Sequence, residues 1–157
     1  MLPAARRRFA TLVAVSLLAL IAAGCGEVRE QTQWSDDRTD GVSASAGDVQ
    51  IRNALVVATE DGSDATVLAI FANRGAADEL VRVRVADGDS EPDGGPLEIP
   101  ARGFAAVGPA ATRLDVTGVD LPPGLRVEVE FIFESAPRAT VSALVQPDDG
   151  IYADAFD

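Results

Sequence analysis

The sequence predicts an all-β fold, an antiparallel β-sandwich of about seven or eight strands in one domain. Three observations carry that expectation. From Val49 onward, short runs rich in Val, Ile, Leu and Phe are broken at roughly 8- to 12-residue intervals by clusters of Gly, Pro, Asp and Asn. Two of those runs alternate cleanly between apolar and charged residues, the period-two signature of half-buried strands. No segment of that region sustains the 3.6-residue period of an amphipathic helix.

The chain opens with Arg6-Arg7-Arg8, continues from Phe9 to Ala23 without a charged side chain, and reaches Gly24-Cys25. A positive start, an apolar middle and a small-residue exit predict an export signal over residues 1–24. The apolar run is about 15 residues, roughly 22 Å as a helix, against a hydrocarbon core of about 30 Å, which argues against a transmembrane span. Cys25 is the chain's one cysteine. Ala22-Ala23-Gly24-Cys25 resembles the lipobox of bacterial lipoproteins, although Ala22 stands where that motif usually has Leu, Val or Ile. The resemblance implies cleavage between Gly24 and Cys25 and a diacylglyceryl group on the cysteine sulfur. Several acyl chains on one residue anchor a protein where a single chain does not, at roughly 0.8 kcal/mol per buried methylene. A buried or incidental thiol is the other use of such a residue.

Loss of the leader would remove three arginines and no acid, so the formal charge of −12 would become more negative still. Such a surface excludes nucleic acid and anionic headgroups as ordinary partners, because phosphate binding draws on positive charge. Every basic residue is an arginine. One cysteine cannot form an intrachain disulfide, so the domain must be held by its core. About a hundred ordered residues suffice for that.

Residues 25–47 read as a lipidated, polar tether with Trp34 as its one large apolar side chain. The sandwich is expected over residues 48–146, with strands at 49–58, 66–73, 79–87, 96–99, 103–107, 112–116, 125–134 and 139–145. In 80–85, Leu80, Arg82 and Arg84 should face one way and Val81, Val83 and Val85 the other. In 126–133, Val127, Val129, Phe131 and Phe133 should oppose Arg126, Glu128, Glu130 and Ile132. The two polar faces carry opposite charges and would pair if the strands were neighbours. Turns are expected at 60–64, 87–96, 100–103, 122–124 and 135–138, where Pro and Gly meet the dihedral demands. Residues 147–157 form an acidic tail, expected to fray, with docking through Ile151, Tyr152 and Phe156 as the alternative.

The stretch from Ile99 to Val145 sets a strand before a Pro-Ala-Arg-Gly turn, a short strand, a Gly-Val-x-x-Pro loop at Gly118–Pro122, a long strand ending Phe131-Ile132-Phe133-Glu134, and a final strand. Together with Val49–Val57 and the hairpin around Asn73-Arg74-Gly75, it resembles the PCu(A)C copper chaperone domain, and more closely the actinobacterial LpqE-type lipoproteins that share its fold. The resemblance covers about residues 48–146 and implies an Ig-like/cupredoxin-like sandwich. The family's copper ligands are methionine thioethers and histidine imidazoles, donors that suit copper. This chain has no histidine, and its one methionine is Met1. Where the family has His-x-Met, Arg113-Leu114-Asp115 stands here, so copper binding by that site is not implied.

The densest acidic cluster, Asp87, Asp89, Glu91, Asp93 and Glu98, spaces carboxylates somewhat as a calcium loop does. Pro92 falls where such a loop needs glycine, and strands flank it, so weak calcium binding competes with a solvated hairpin loop. Without histidine, lysine or a free thiol, the usual general bases and nucleophiles are missing. Thr112 and Ser135 have no activating neighbour in sequence, and Asp115 with Asp120 would be only a chance carboxylate pair. The expectation is a non-enzymatic binding or accessory lipoprotein on the extracytoplasmic face of the cell membrane, with an envelope protein as partner, recruited for instance by strand addition. The alternative is a metal-handling lipoprotein using oxygen ligands or partner-supplied donors.

Overall fold

Short β-branched runs pair across Gly- and Pro-containing turns to build a two-layer antiparallel sandwich. The computed structural model describes residues 41–156; the leader, Gly24, Cys25 and Trp34 lie outside them. The strands are β1 (Val42–Ala46), β2 (Val49–Ala58), β3 (Asp64–Asn73), β4 (Asp78–Val85), β5 (Gly88–Ser90), β6 (Leu97–Ile99), β7 (Phe104–Val107), β8 (Asp115–Thr117), β9 (Arg126–Phe133) and β10 (Ala139–Pro147). A 3-10 turn follows at Gly150–Tyr152.

In the first sheet β2 pairs with β1 and β3, and β3 pairs along its length with β8 and then β7. In the second, β4 pairs with β5, β6 and β9, and β9 with β10. The last strand joins them: Ala139–Leu144 run antiparallel to β9, whereas Val145–Pro147 run parallel to Val56–Ala58 of β2. Phe71 of the first sheet meets Phe131 and Phe133 of the second edge-on, with centroids 5.7 and 6.0 Å apart. That edge-to-face geometry is the favoured one for aromatic rings and locks the two layers face to face.

The register departs from the expected pattern in ways that have local causes. Residues 42–46, read as tether, are a strand: after the Gly47 turn, at φ 59°, Ala46 pairs with Val49 and is buried. Its alternation in VSASA is built from side chains too small to register as hydrophobic contrast. A bulge between Leu80 and Arg82 turns Leu80 into the core beside Val83 and Val85, not onto the arginine face. A second bulge on β2, with Asn53 at φ 53°, moves the inward set from Val49 and Ile51 to Ala54, Val56 and Ala58. It therefore places Leu55 and Val57 on the outer face. Residues 88–90 add a short strand inside the expected 87–96 loop, and β8 lies at 115–117, slightly later than expected.

Candidate functional site

The segment leading into β8 buries Leu114 fully, whereas Arg113 before it and Asp115 after it keep access to solvent. Residues two apart share a strand face. Leu114 is held by its carbonyl, which accepts from the Val67 amide at 3.0 Å and the Thr66 hydroxyl at 3.3 Å. The loop after β5 closes over the same segment: the Asp93 amide donates to the Arg113 carbonyl at 2.9 Å, and the Ser90 hydroxyl donates to the Asp115 carbonyl. The acidic 87–96 stretch and the 113–115 segment therefore meet.

Their side chains satisfy one another instead of converging on a vacancy. Arg113 Nε lies 3.1 Å from Asp115 Oδ2, and Nη2 lies 3.4 Å from Oδ1, a two-pronged charge-assisted pair. The third prong, Nη1, donates to the Phe156 carbonyl at 2.7 Å. The acidic tail is thus docked. Tyr152, Ala155 and Phe156 lie on Leu55, Val57 and Leu68, and Ala155 is buried. Burial of the aromatic side chains and the Arg113 contact outweigh the ordering cost that predicted fraying.

The acidic cluster does not assemble. Asp89 reaches Arg84 at 3.1 Å and Arg82 at 3.9 Å, Glu91 reaches Arg82 at 3.1 Å, and Glu98 pairs across strands with Glu79. Asp87 and Asp93 are exposed. Among the described residues no three His, Cys, Asp or Glu side chains group as a metal site. Of the residues expected for weak calcium binding, Asp87, Asp89, Glu91, Asp93 and Glu98, Asp89 and Glu91 pair with arginines on β4.

Those arginines belong to an alternating series on the second sheet, Glu91–Arg82–Asp89–Arg84–Glu130–Arg138, closed by Arg84 to Glu130 at 2.9 Å and Arg138 to Glu130 at 3.6 Å. The expected pairing of the β4 and β9 charges is realised by Arg84 and Glu130, which are direct cross-strand partners. Sequence reading overlooked Arg138 and the hairpin acids as members, since β5 itself went unseen.

Two other polar places are structural. Asp78 is 7% exposed; its Oδ1 accepts from the Glu79 and Ser135 amides at 2.9 Å, and its Oδ2 from the Ala136 amide at 2.8 Å. It pins the turn after β9 to β4, with its carboxylate fully engaged. In the β2–β3 turn the Ser63 amide, then the Thr59 and Ser63 hydroxyls, hold the Asp61 carboxyl below its ordinary value of 3.8. This hydrogen-bonded turn is complete without a ligand.

No family model matches the chain, and no curated protein does. Solved structures match its fold. The copper-bound PCuAC domain from PmoF2 superposes with a TM-score of 0.61 at 19% identity, over 68% of this chain and 98% of that one. The apo PCuAC domain from PmoF1 gives 0.61 at 20%, over 68% and 99%. The apo PmoF2 PCuAC domain gives 0.57 at 19%, over 69% and 98%. The chain therefore has the cupredoxin-like fold of a PCuAC domain over nearly the full length of those domains.

Proposed function

We propose that this chain is an extracytoplasmic lipoprotein, anchored through Cys25, that uses a PCuAC-type fold as a non-enzymatic binding or accessory module of the cell envelope. The observation that carries this reading is the Arg113–Asp115 pair. A guanidinium keeps its proton at any ordinary pH and offers no lone pair to a metal. Here it is committed to a carboxylate and to the tail carbonyl of Phe156. Residues 41–156 contain no histidine, cysteine or methionine, so no soft or borderline nitrogen or sulfur donor remains elsewhere in them for copper. A stable fold with a tail clamped over that region suits a surface that binds, not one that loads and releases a metal. Kinship with actinobacterial LpqE-type lipoproteins belongs to the same reading, supported by the lipobox-like Ala22-Ala23-Gly24-Cys25 and by the exclusive use of arginine as the basic residue.

One purified membrane preparation tests it through intact mass and metal content. The wild-type chain should carry the mass of a diacylglyceryl-modified Cys25 and lack the leader, Cys25→Ser should carry neither change, and both should hold copper far below one equivalent after incubation with Cu(I) and Cu(II). Stoichiometric copper, or a lipid mass that survives Cys25→Ser, would sink the proposal.

A further inference from the structure

The outer face of the first sheet continues past the part that the tail covers. Leu68, Ile70, Ala106 and Pro109 line an open groove of about 340 Å³ there. Ile70 is 44% exposed, and Phe104 on β7 is 71% exposed. Arg52, Ile70 and Ala106 form one cross-strand row, and Gln50, Ala72 and Phe104 the next. Arg74 follows the last residue of β3, Arg102 lies at φ 52° in the turn that leads into β7, and both are exposed.

These cations stand apart from the rest. Of the eight arginines among the described residues, Arg82, Arg84, Arg113 and Arg138 reach a carboxylate within 4.0 Å, whereas Arg52, Arg74, Arg102 and Arg126 do not. Arg52 lies on this face, and Arg74 and Arg102 lie at the strand ends beside it, in a chain with 25 acidic residues. Asp48, the carboxylate nearest in register, lies against Gly75 and makes no ion pair.

The strand beneath has a free edge. The Asn73 amide donates to the Gly103 carbonyl at 2.9 Å, so that carbonyl and the backbone groups of Ala105 and Val107 face β3, while the Gly103 amide donates to the Pro100 carbonyl. Alternation in an antiparallel ladder then turns the amide and carbonyl of Phe104 and the amide of Ala106 away from it. Among the described residues, no other strand pairs with β7; Thr112 bridges only at Val107.

We infer that this face binds an extended acidic segment of a partner protein, added as a strand to the free edge of β7. The molecule shows what chemistry covers such a surface, because its own tail does so one step away on the same sheet. That segment carries Asp148, Asp149 and Asp154 around Tyr152 and Phe156, and rests on Leu68, which also lines the open groove. Backbone pairing would supply affinity, apolar anchors would enter the groove over Ile70, and carboxylates would meet Arg52, Arg74 and Arg102. The inference rests on the reading of the chain as a non-enzymatic binding module.

The test uses the full chain in detergent and a labelled short peptide in which glutamate and valine alternate along one strand face, with threonine at the intervening positions, followed by fluorescence anisotropy. Its binding should be at least about tenfold tighter than that of the arginine–valine counterpart and should weaken with added salt. It should fall about tenfold when alternate peptide nitrogens of the probe are methylated, and likewise with Ala106→Pro, which removes an edge donor without touching the β3 ladder. Ile70→Ser and Arg102→Glu should weaken it with no change in melting temperature, covering the case in which Ala106→Pro fails to fold. Equal affinity for both charge types, indifference to methylation, or no binding would overturn the proposal. So would a dimer that buries β7, or retention on phosphatidylglycerol vesicles that depends on Arg102. The lipid mass and metal content of the same preparation stay readable in every one of these outcomes, so failure here is distinct from failure of the function proposed above.

Discussion

Two halves of one sheet face have met opposite fates. Over Leu55, Val57 and Leu68 the outer surface of β2 and β3 is roofed by the molecule's own tail, whereas over Ile70, Ala106 and Phe104 it is bare. The strands, the pleat and the apolar character are shared, so neither propensity nor register explains the contrast. Charge pairing separates them more sharply. At the roofed end Arg113 is neutralised by Asp115 and bonded to Phe156; at the bare end three arginines lack a carboxylate. A face that is both apolar and electrostatically incomplete is an interaction surface in waiting, while one that is complete belongs to the fold.

Deleting a similar aliphatic side chain on each half breaks the comparison most forcefully. Leu55, 2% exposed beneath the tail, should cost about 2–4 kcal/mol when changed to alanine, through lost burial and a residual cavity. Ile70→Ala, at a position 44% exposed, should cost under about 1 kcal/mol. Urea unfolding of both variants, with unchanged m-values, measures the difference. Equal losses would mean that the bare half is structurally loaded too.

The clamp comes next in size. Arg113→Ala removes one partner from Asp115 and one donor from the Phe156 carbonyl, and should destabilise by about 1–2 kcal/mol. The tail beyond Asp148 should then be cut by protease well before the sandwich is. Arg102→Ala, on the bare half, should leave both stability and the cleavage pattern unaltered.

Much of this frame could be read from residues. β2 has the predicted limits, the inward set of β9 is the predicted one, and the Arg84–Glu130 pair follows from two alternating strands with opposite charges. The fold implied by the resemblance to the PCu(A)C domain is the one observed. What stayed hidden were effects that pattern cannot carry. Bulges at Asn53 and near Leu80 change which parity faces inward without any change in composition. The β1 strand is built of small residues, and the tail's aromatics declare their role only once Leu55 and Val57 are seen to face outward together. Nor does sequence spacing reveal that two arginines on β4 lie across a tight hairpin from the acidic loop.

The second sheet offers the control for what paired charge is worth. Its ladder centres on Glu130, which lies within 4.0 Å of both Arg84 and Arg138. Glu130 is only 23% exposed, but its partners Arg84 and Arg138 are 44% and 65% exposed, so screening and side-chain ordering consume most of the Coulomb gain. Glu130→Ala should therefore cost at most about 1 kcal/mol, with half or more of that effect vanishing in molar salt. It should also leave binding of an acidic peptide at β7 untouched, since no ladder residue lies on that face. If Glu130→Ala instead frees Arg138 to bind the peptide on the second sheet, then unpaired arginine alone creates affinity, and the apolar groove and open edge of β7 confer no selectivity. Peptide titration of Glu130→Ala against Ile70→Ser separates these outcomes: selective loss in Ile70→Ser requires the groove, and gain in Glu130→Ala would show that bare charge is sufficient.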